Sequence, residues 1–70
     1  MRDYLKNKRT EMDKTQAEIA KELEVSESYY NLIERGLRQK ILRTDTVCKL
    51  SQILNIPIEE IIENERIKEG

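Results

Sequence analysis

Three observations predict an all-α chain. Apolar residues recur at three- and four-residue intervals, as in Val47, Leu50 and Leu54 or Ile58, Ile61 and Ile62, and no stretch alternates with the period of a half-buried strand. Two glycines and one proline in 70 residues leave few of the tight turns that a sheet requires. Helix-start residues stand directly ahead of the periodic stretches. A chain this short buries only about 60% of its unfolded surface, so its core is marginal unless something helps it. Cys48 is the only cysteine and histidine is absent. An internal disulfide is therefore excluded, and with it go the common zinc ligand sets and His-based triads. Self-association is the help that remains.

The first helix is expected over residues 2–12, with Leu5 and Met12 on one stripe, Tyr4 and Arg9 beside it, and Lys6 and Lys8 facing out. Met12-Asp13-Lys14 interrupts the pattern. Thr15 opens a second helix as the N-cap of a capping box, in which Thr15 and Glu18 each accept the other's free backbone N–H. Ile19, Ala20 and Leu23 form its inner face, and it ends at Glu24. Ser26 caps a third helix, with Glu27 in the first turn where the helix dipole favours a carboxylate. Tyr30 and Ile33 face inward, so of the adjacent tyrosines Tyr29 is the outward one. Gly36 stops this helix by adopting a left-handed conformation.

Residues 37–43 form a basic connection. A fourth helix follows from about Thr44 to Leu54, closed by Asn55 in the left-handed region. Cys48 falls at the margin of its apolar stripe and reads as a small hydrophobe. Pro57 stands at the start of a fifth helix, where its missing N–H costs nothing. That helix is expected to run to about Glu63, so that 1–63 form one domain and 64–70 fray. Apolar runs never exceed two residues, which excludes a membrane-spanning helix, and the lone cysteine fits a reducing cytoplasm.

Formal net charge is only −1, but it is unevenly spread. Residues 1–16 carry +2, 17–34 carry −4, 35–49 carry +4 and 50–70 carry −3. Two basic segments thus flank the second and third helices. These helices are joined so tightly, through Glu24-Val25-Ser26, that they must cross steeply. Ala20 suits the close approach and Val25 plugs the elbow. Several small helices with such a bihelical unit inside are the layout of a helix-turn-helix domain.

Thr15-Gln16-Ala17-Glu18-Ile19-Ala20, Val25-Ser26 and Ile33-Glu34-Arg35-Gly36 together resemble the Xre/Cro-type helix-turn-helix family of phage and plasmid repressors. The likeness extends through Thr46-Val47, Lys49-Leu50 and Leu54-Asn55-Ile56 to Ile58-Glu59-Glu60-Ile61-Ile62, covering about residues 3–62. It implies a compact five-helix repressor-like domain with the helix-turn-helix at about 16–35. By this resemblance Gln16 contacts phosphate and braces a base-reading side chain. The third helix enters the major groove with Ser26, Glu27, Ser28 and Tyr29 leading and Leu32 one turn on. Asn31 and Arg35 lie near the sugar-phosphate backbone, and Arg38, Lys40 and Arg43 meet phosphates beside the groove. Arg9 and Glu34 match an interior ion pair.

Each role has a plainer counterpart. Gln16 and Ser26 are good helix-start residues in any protein, Arg38, Lys40 and Arg43 also suit a solvated loop, and Arg9–Glu34 is structural on every reading. The chain departs from the family at Glu24, which replaces a usual glycine and must either accept a left-handed conformation or alter the turn. Lys14 replaces an apolar residue, and the connection after Gly36 is about two residues longer than usual. Glu27 replaces a base or amide and Leu32 a polar reader. A carboxylate there is tolerable if it meets the exocyclic amine of cytosine, and Leu32 suits a thymine methyl.

The resemblance implies a sequence-specific, repressor-like transcriptional regulator that binds a double-stranded DNA operator as a homodimer, with no cofactor, no metal, no membrane contact and no enzymatic role. The Ile58-Ile61-Ile62 region and the outer side of the fourth helix are candidates for the dimer contact, or equally for ordinary core. Glu27, Leu32 and the acidic 17–34 segment favour a second reading. In it the domain is a protein-interaction module, an antitoxin or antirepressor partner that keeps the fold with weak DNA binding.

Overall fold

The computed structural model describes residues 1–67 and forms five helices there: α1 (Asp3–Glu11), α2 (Gln16–Leu23), α3 (Glu27–Glu34), α4 (Thr44–Leu54) and α5 (Ile58–Ile67). The capping box at Thr15 is complete. Thr15 Oγ1 accepts from the Glu18 N–H at 3.1 Å, and a Glu18 carboxylate oxygen accepts from the Thr15 N–H at 2.7 Å. Ser26 Oγ accepts from the Tyr29 N–H at 3.1 Å and so starts α3 after a link of three residues, Glu24-Val25-Ser26. α1 has no side-chain cap; its entry is held instead by the Arg2 N–H, which donates to the Glu34 carbonyl at 2.9 Å.

The first four helices end alike. A left-handed residue stands just past each: Asp13, Glu24, Gly36 and Asn55, with φ of 59°, 66°, 81° and 55°. The next N–H then reaches back five residues, from Lys14 to Arg9, Val25 to Ala20, Leu37 to Leu32 and Ile56 to Ser51, which satisfies carbonyls that a helix end otherwise leaves open. Only one of the four is glycine. Glu24 thus accepts the left-handed conformation and the turn keeps its course.

Leu5, Ile19, Ala20, Leu23, Tyr30, Ile33, Leu50, Leu54, Ile56 and Ile61 are buried and form one cluster. α2 packs on α3 and α4, α1 on α3 and α4, and α5 on α4. Leu50 and Leu54 supply the inner face of α4, with Val47 half-buried beside them. Of the three isoleucines that are equal candidates for core and for a dimer contact, Ile61 is buried in the core, while Ile58 and Ile62 are 41% and 46% exposed.

Two other expectations need correction. Cys48 does not pack as a small hydrophobe, because it lies on the exposed side of α4. α5 does not stop near Glu63 but continues to Ile67. Its last turn is pinned by Glu65, whose carboxylate accepts from Arg2 Nε at 2.9 Å and from the Tyr4 hydroxyl. That tertiary anchor falls within 64–67, the first part of the tail in which fraying was expected. The remainder of the expected tail, 68–70, lies outside the described residues.

Candidate nucleic-acid interface

The site grows outward from one buried carboxylate. Glu34, at the end of α3, is 1% exposed. Arg9 on α1 grips it with two parallel bonds, Nε to Oε2 at 2.9 Å and Nη2 to Oε1 at 3.2 Å. The Tyr30 hydroxyl donates to Oε2 at 2.9 Å, and Gln16 Nε2 donates to Oε1 at 2.8 Å. Three helices are thus tied to one side chain. Burial by itself would push the Glu34 carboxyl up, but the hydrogen bonds from Arg9, Gln16 and Tyr30 outweigh it and hold it below the usual carboxylate range. The carboxylate's hydrogen bond raises the Arg9 guanidinium against the opposing effect of burial. Burial first, and then the Glu34 charge, push the Tyr30 phenol up.

Gln16 transmits this order outward. Its Oε1 accepts from Asn31 Nδ2 at 3.1 Å while its amide nitrogen faces Glu34, so it braces Asn31 from the first residue of α2. One of the two amide N–H bonds of Gln16 remains for an outside acceptor. Gln16, Asn31 and Leu32, with the exposed Glu27 and Ser28, line a shallow concavity of about 330 Å³. Five of the expected contact residues therefore converge on one patch, at the leading end of α3. The Ser26 hydroxyl is spent on its cap, although the residue is exposed.

Tyr29 lies apart from that patch. It is half-buried, packs against the core and accepts a hydrogen bond from Gln39 Nε2 at 3.1 Å. It belongs with the α3–α4 connection, not with the concavity. Arg35 is exposed just beyond α3. Arg38, Lys40 and Arg43 are exposed along the connection; Arg43 faces Asp45 at 3.4 Å, and among the described residues Arg38 and Lys40 have no carboxylate partner. The connection is folded, not slack. Gln39 adopts a left-handed conformation with φ of 50°, and its Oε1 accepts from the Arg43 N–H at 3.0 Å.

Sequence reasoning missed Arg2, Gln39 and Glu65. Arg2 stands ahead of the first helix, where a charge needs no partner, and its partners lie as far away as Glu65. No local pattern carries that signal. Gln39 could have been singled out as the one uncharged polar residue inside a basic run.

Among the described residues no cluster of His, Cys, Asp and Glu could hold a metal ion, and no helix is long and apolar enough to cross a membrane. A model of the helix-turn-helix family matches residues 5–61, from the first turn of α1 into α5. No curated protein and no solved structure matches the chain.

Proposed function

Because this chain belongs to the Xre/Cro-type helix-turn-helix family, we propose that it is a sequence-specific regulator of transcription that binds double-stranded DNA as a homodimer on an inverted-repeat operator. It acts in the cytoplasm, where its operator is, and represses by occupying that site. The observation that carries this reading is the pairing of an exposed, braced leading turn on α3 with a basic connection whose Arg38 and Lys40 side chains are exposed and unpaired among the described residues. Phosphate contacts by such bases position a protein on the duplex, and side chains in the groove read the sequence. Glu27, Ser28 and Leu32 are the readers; Gln16, Asn31, Arg35, Arg38, Lys40 and Arg43 meet the backbone.

The dimer follows from reach. α3 has eight residues, which span only about 12 Å and touch few base pairs. Two copies reading half-sites about 34 Å apart supply the missing specificity. A largely apolar groove of about 480 Å³ between the connection, α4 and α5, lined by Ile41, Leu42, Val47, Ile61 and Ile62 and bordered by the charged Lys40, Glu65 and Arg66, offers a surface for the second copy. Ile41 is 84% exposed beside it.

Selection of bound duplexes from a random pool, followed by salt titration of the winner, tests the reading. An inverted repeat should emerge, with affinity falling steeply as salt rises. Absence of duplex binding even at low salt leaves the second reading, a protein-interaction module. The exposed Glu27 on the reading turn favours that alternative.

A further inference from the structure

Arg2 is among the largest fully buried side chains of the described residues, at 1% exposure. A guanidinium has five N–H bonds in a fixed planar fork, and here every one has an acceptor. Nε–H is shared between the two Glu65 carboxylate oxygens at 3.1 and 2.9 Å. Nη1 donates to the Ile33 carbonyl at 2.6 Å and the Arg38 carbonyl at 3.3 Å. Nη2 donates to the carbonyls of Gln39 and, at 3.2 Å, Lys40. Three successive carbonyls of the α3–α4 connection thus point at one buried cation. The side chains of two of those residues, Arg38 and Lys40, are exposed.

We propose that Arg2 is a positioning residue for DNA binding: by gathering the 38–40 carbonyls inward it turns the Arg38 and Lys40 side chains outward and holds them for the phosphates. This rests on the DNA-binding reading above. The same guanidinium also joins the connection to the end of α3, through Ile33, and to α5, through Glu65. The basic loop is therefore held in register with the reading helix, at a distance set by one rigid side chain. The left-handed Gln39 belongs to this arrangement, since it lets neighbouring carbonyls converge. Its side chain completes the hold from the other side through the Tyr29 hydroxyl and the Arg43 N–H. Lysine cannot substitute. Its ammonium keeps the charge but has three donors and no planar fork.

The test compares salt dependence in wild type and Arg2→Lys, each confirmed folded by circular dichroism. Replacing Arg38 and Lys40 together with alanine removes two phosphate contacts from each protomer, so on the full inverted repeat it should lower the slope of log affinity against log salt by about 3.6 in the wild-type background, roughly 0.9 for each lost contact. Arg2→Lys alone should lower it by a similar amount, and adding the double alanine change should then have little further effect. A purely structural role for Arg2 would weaken binding through the folded fraction and leave the slope unchanged, so a wild-type slope in folded Arg2→Lys overturns the proposal. If Arg2→Lys does not fold, Glu65→Gln is the second variant. It should reduce the slope and speed amide exchange at Arg38 and Arg43 while α2 amides keep their wild-type rates; an unchanged slope or uniformly faster exchange overturns the proposal. Wild type that binds no duplex at low salt sinks the DNA reading itself, an outcome distinct from wild type that binds with a slope Arg2 does not influence.

Discussion

Glu34 joins three helices at a single side chain. It orders α1, α2 and α3 through Arg9, Gln16 and Tyr30, and through Gln16 it fixes Asn31 at the edge of the α3 concavity. Because its folded pKa is held below the usual carboxylate value, its contribution is fully present above the unfolded value, near pH 4.3. It is lost as pH falls through the folded value. Urea unfolding from pH 7 towards pH 3 should show this loss, and Tyr30→Phe, which removes one donor to the carboxylate, should cost about 2 kcal/mol at pH 7. Glu34→Gln strands the Arg9 charge and should cost about 3–5 kcal/mol, enough to unfold much of so small a domain. At the interface, Glu27→Gln should change which base is preferred at its position, whereas Lys40→Ala should weaken all sequences about equally and lower the salt slope on the full inverted repeat by about two, one for each protomer. Selection on a randomised half-site measures both, and identical effects from the two changes would refute their separate roles. The residue types at this site are legible in the sequence; the use of both ends of the Gln16 amide is not. That depends on where α1 and α3 place Glu34 and Asn31.

Helix boundaries follow local chemistry, and most were readable. The Thr15 capping box, the Ser26 cap and the left-handed residues at Gly36 and Asn55 each involve hydrogen bonds within a few residues of one another. Glu24 is the informative exception. A non-glycine residue in the left-handed region costs about 1–2 kcal/mol, and its ion pair with Lys49 is long, at 3.8 Å, and exposed. Glycine loses about 0.5–1 kcal/mol more chain entropy on folding, so Glu24→Gly should still stabilise by about 0.5–1 kcal/mol. Thermal melting should rise by about 3–6 °C; a lower melting temperature would mean that Glu24 contributes more than its exposed pair suggests. Gly36→Ala should act in the opposite sense. An added Cβ would meet nothing nearer than 3.9 Å, so the loss, about 1 kcal/mol, comes from φ alone. The end of α5 was not readable, because the bonds that pin its last turn come from Arg2 and Tyr4 at the other end of the chain.

At the scale of the whole molecule, the five helices bury one cluster and leave Ile41 and Ile62 beside an apolar groove. If a second copy covers that groove, Ile41→Asp should abolish the dimer in sedimentation and reduce affinity for the full inverted repeat while sparing affinity for an isolated half-site. Equal loss on both duplexes would place the dimer contact elsewhere. What the sequence determined by itself was whatever rests on near neighbours along the chain: helix number, starts and most ends, the apolar faces of α2, α3 and α4, the tight elbow, and the alternation of basic and acidic segments. Only the tertiary structure decided that Arg2 would be buried against the basic connection, that Tyr29 would pair with Gln39 away from the α3 concavity, that Glu65 would tie α5 to Arg2 and Tyr4, and that Cys48, Ile58 and Ile62 would face outward. A repeating pattern marks which side of a helix is apolar. The partner that each polar group finds across the fold depends on where all five helices come to rest, and one arginine with five donors can settle the course of a loop far along the chain.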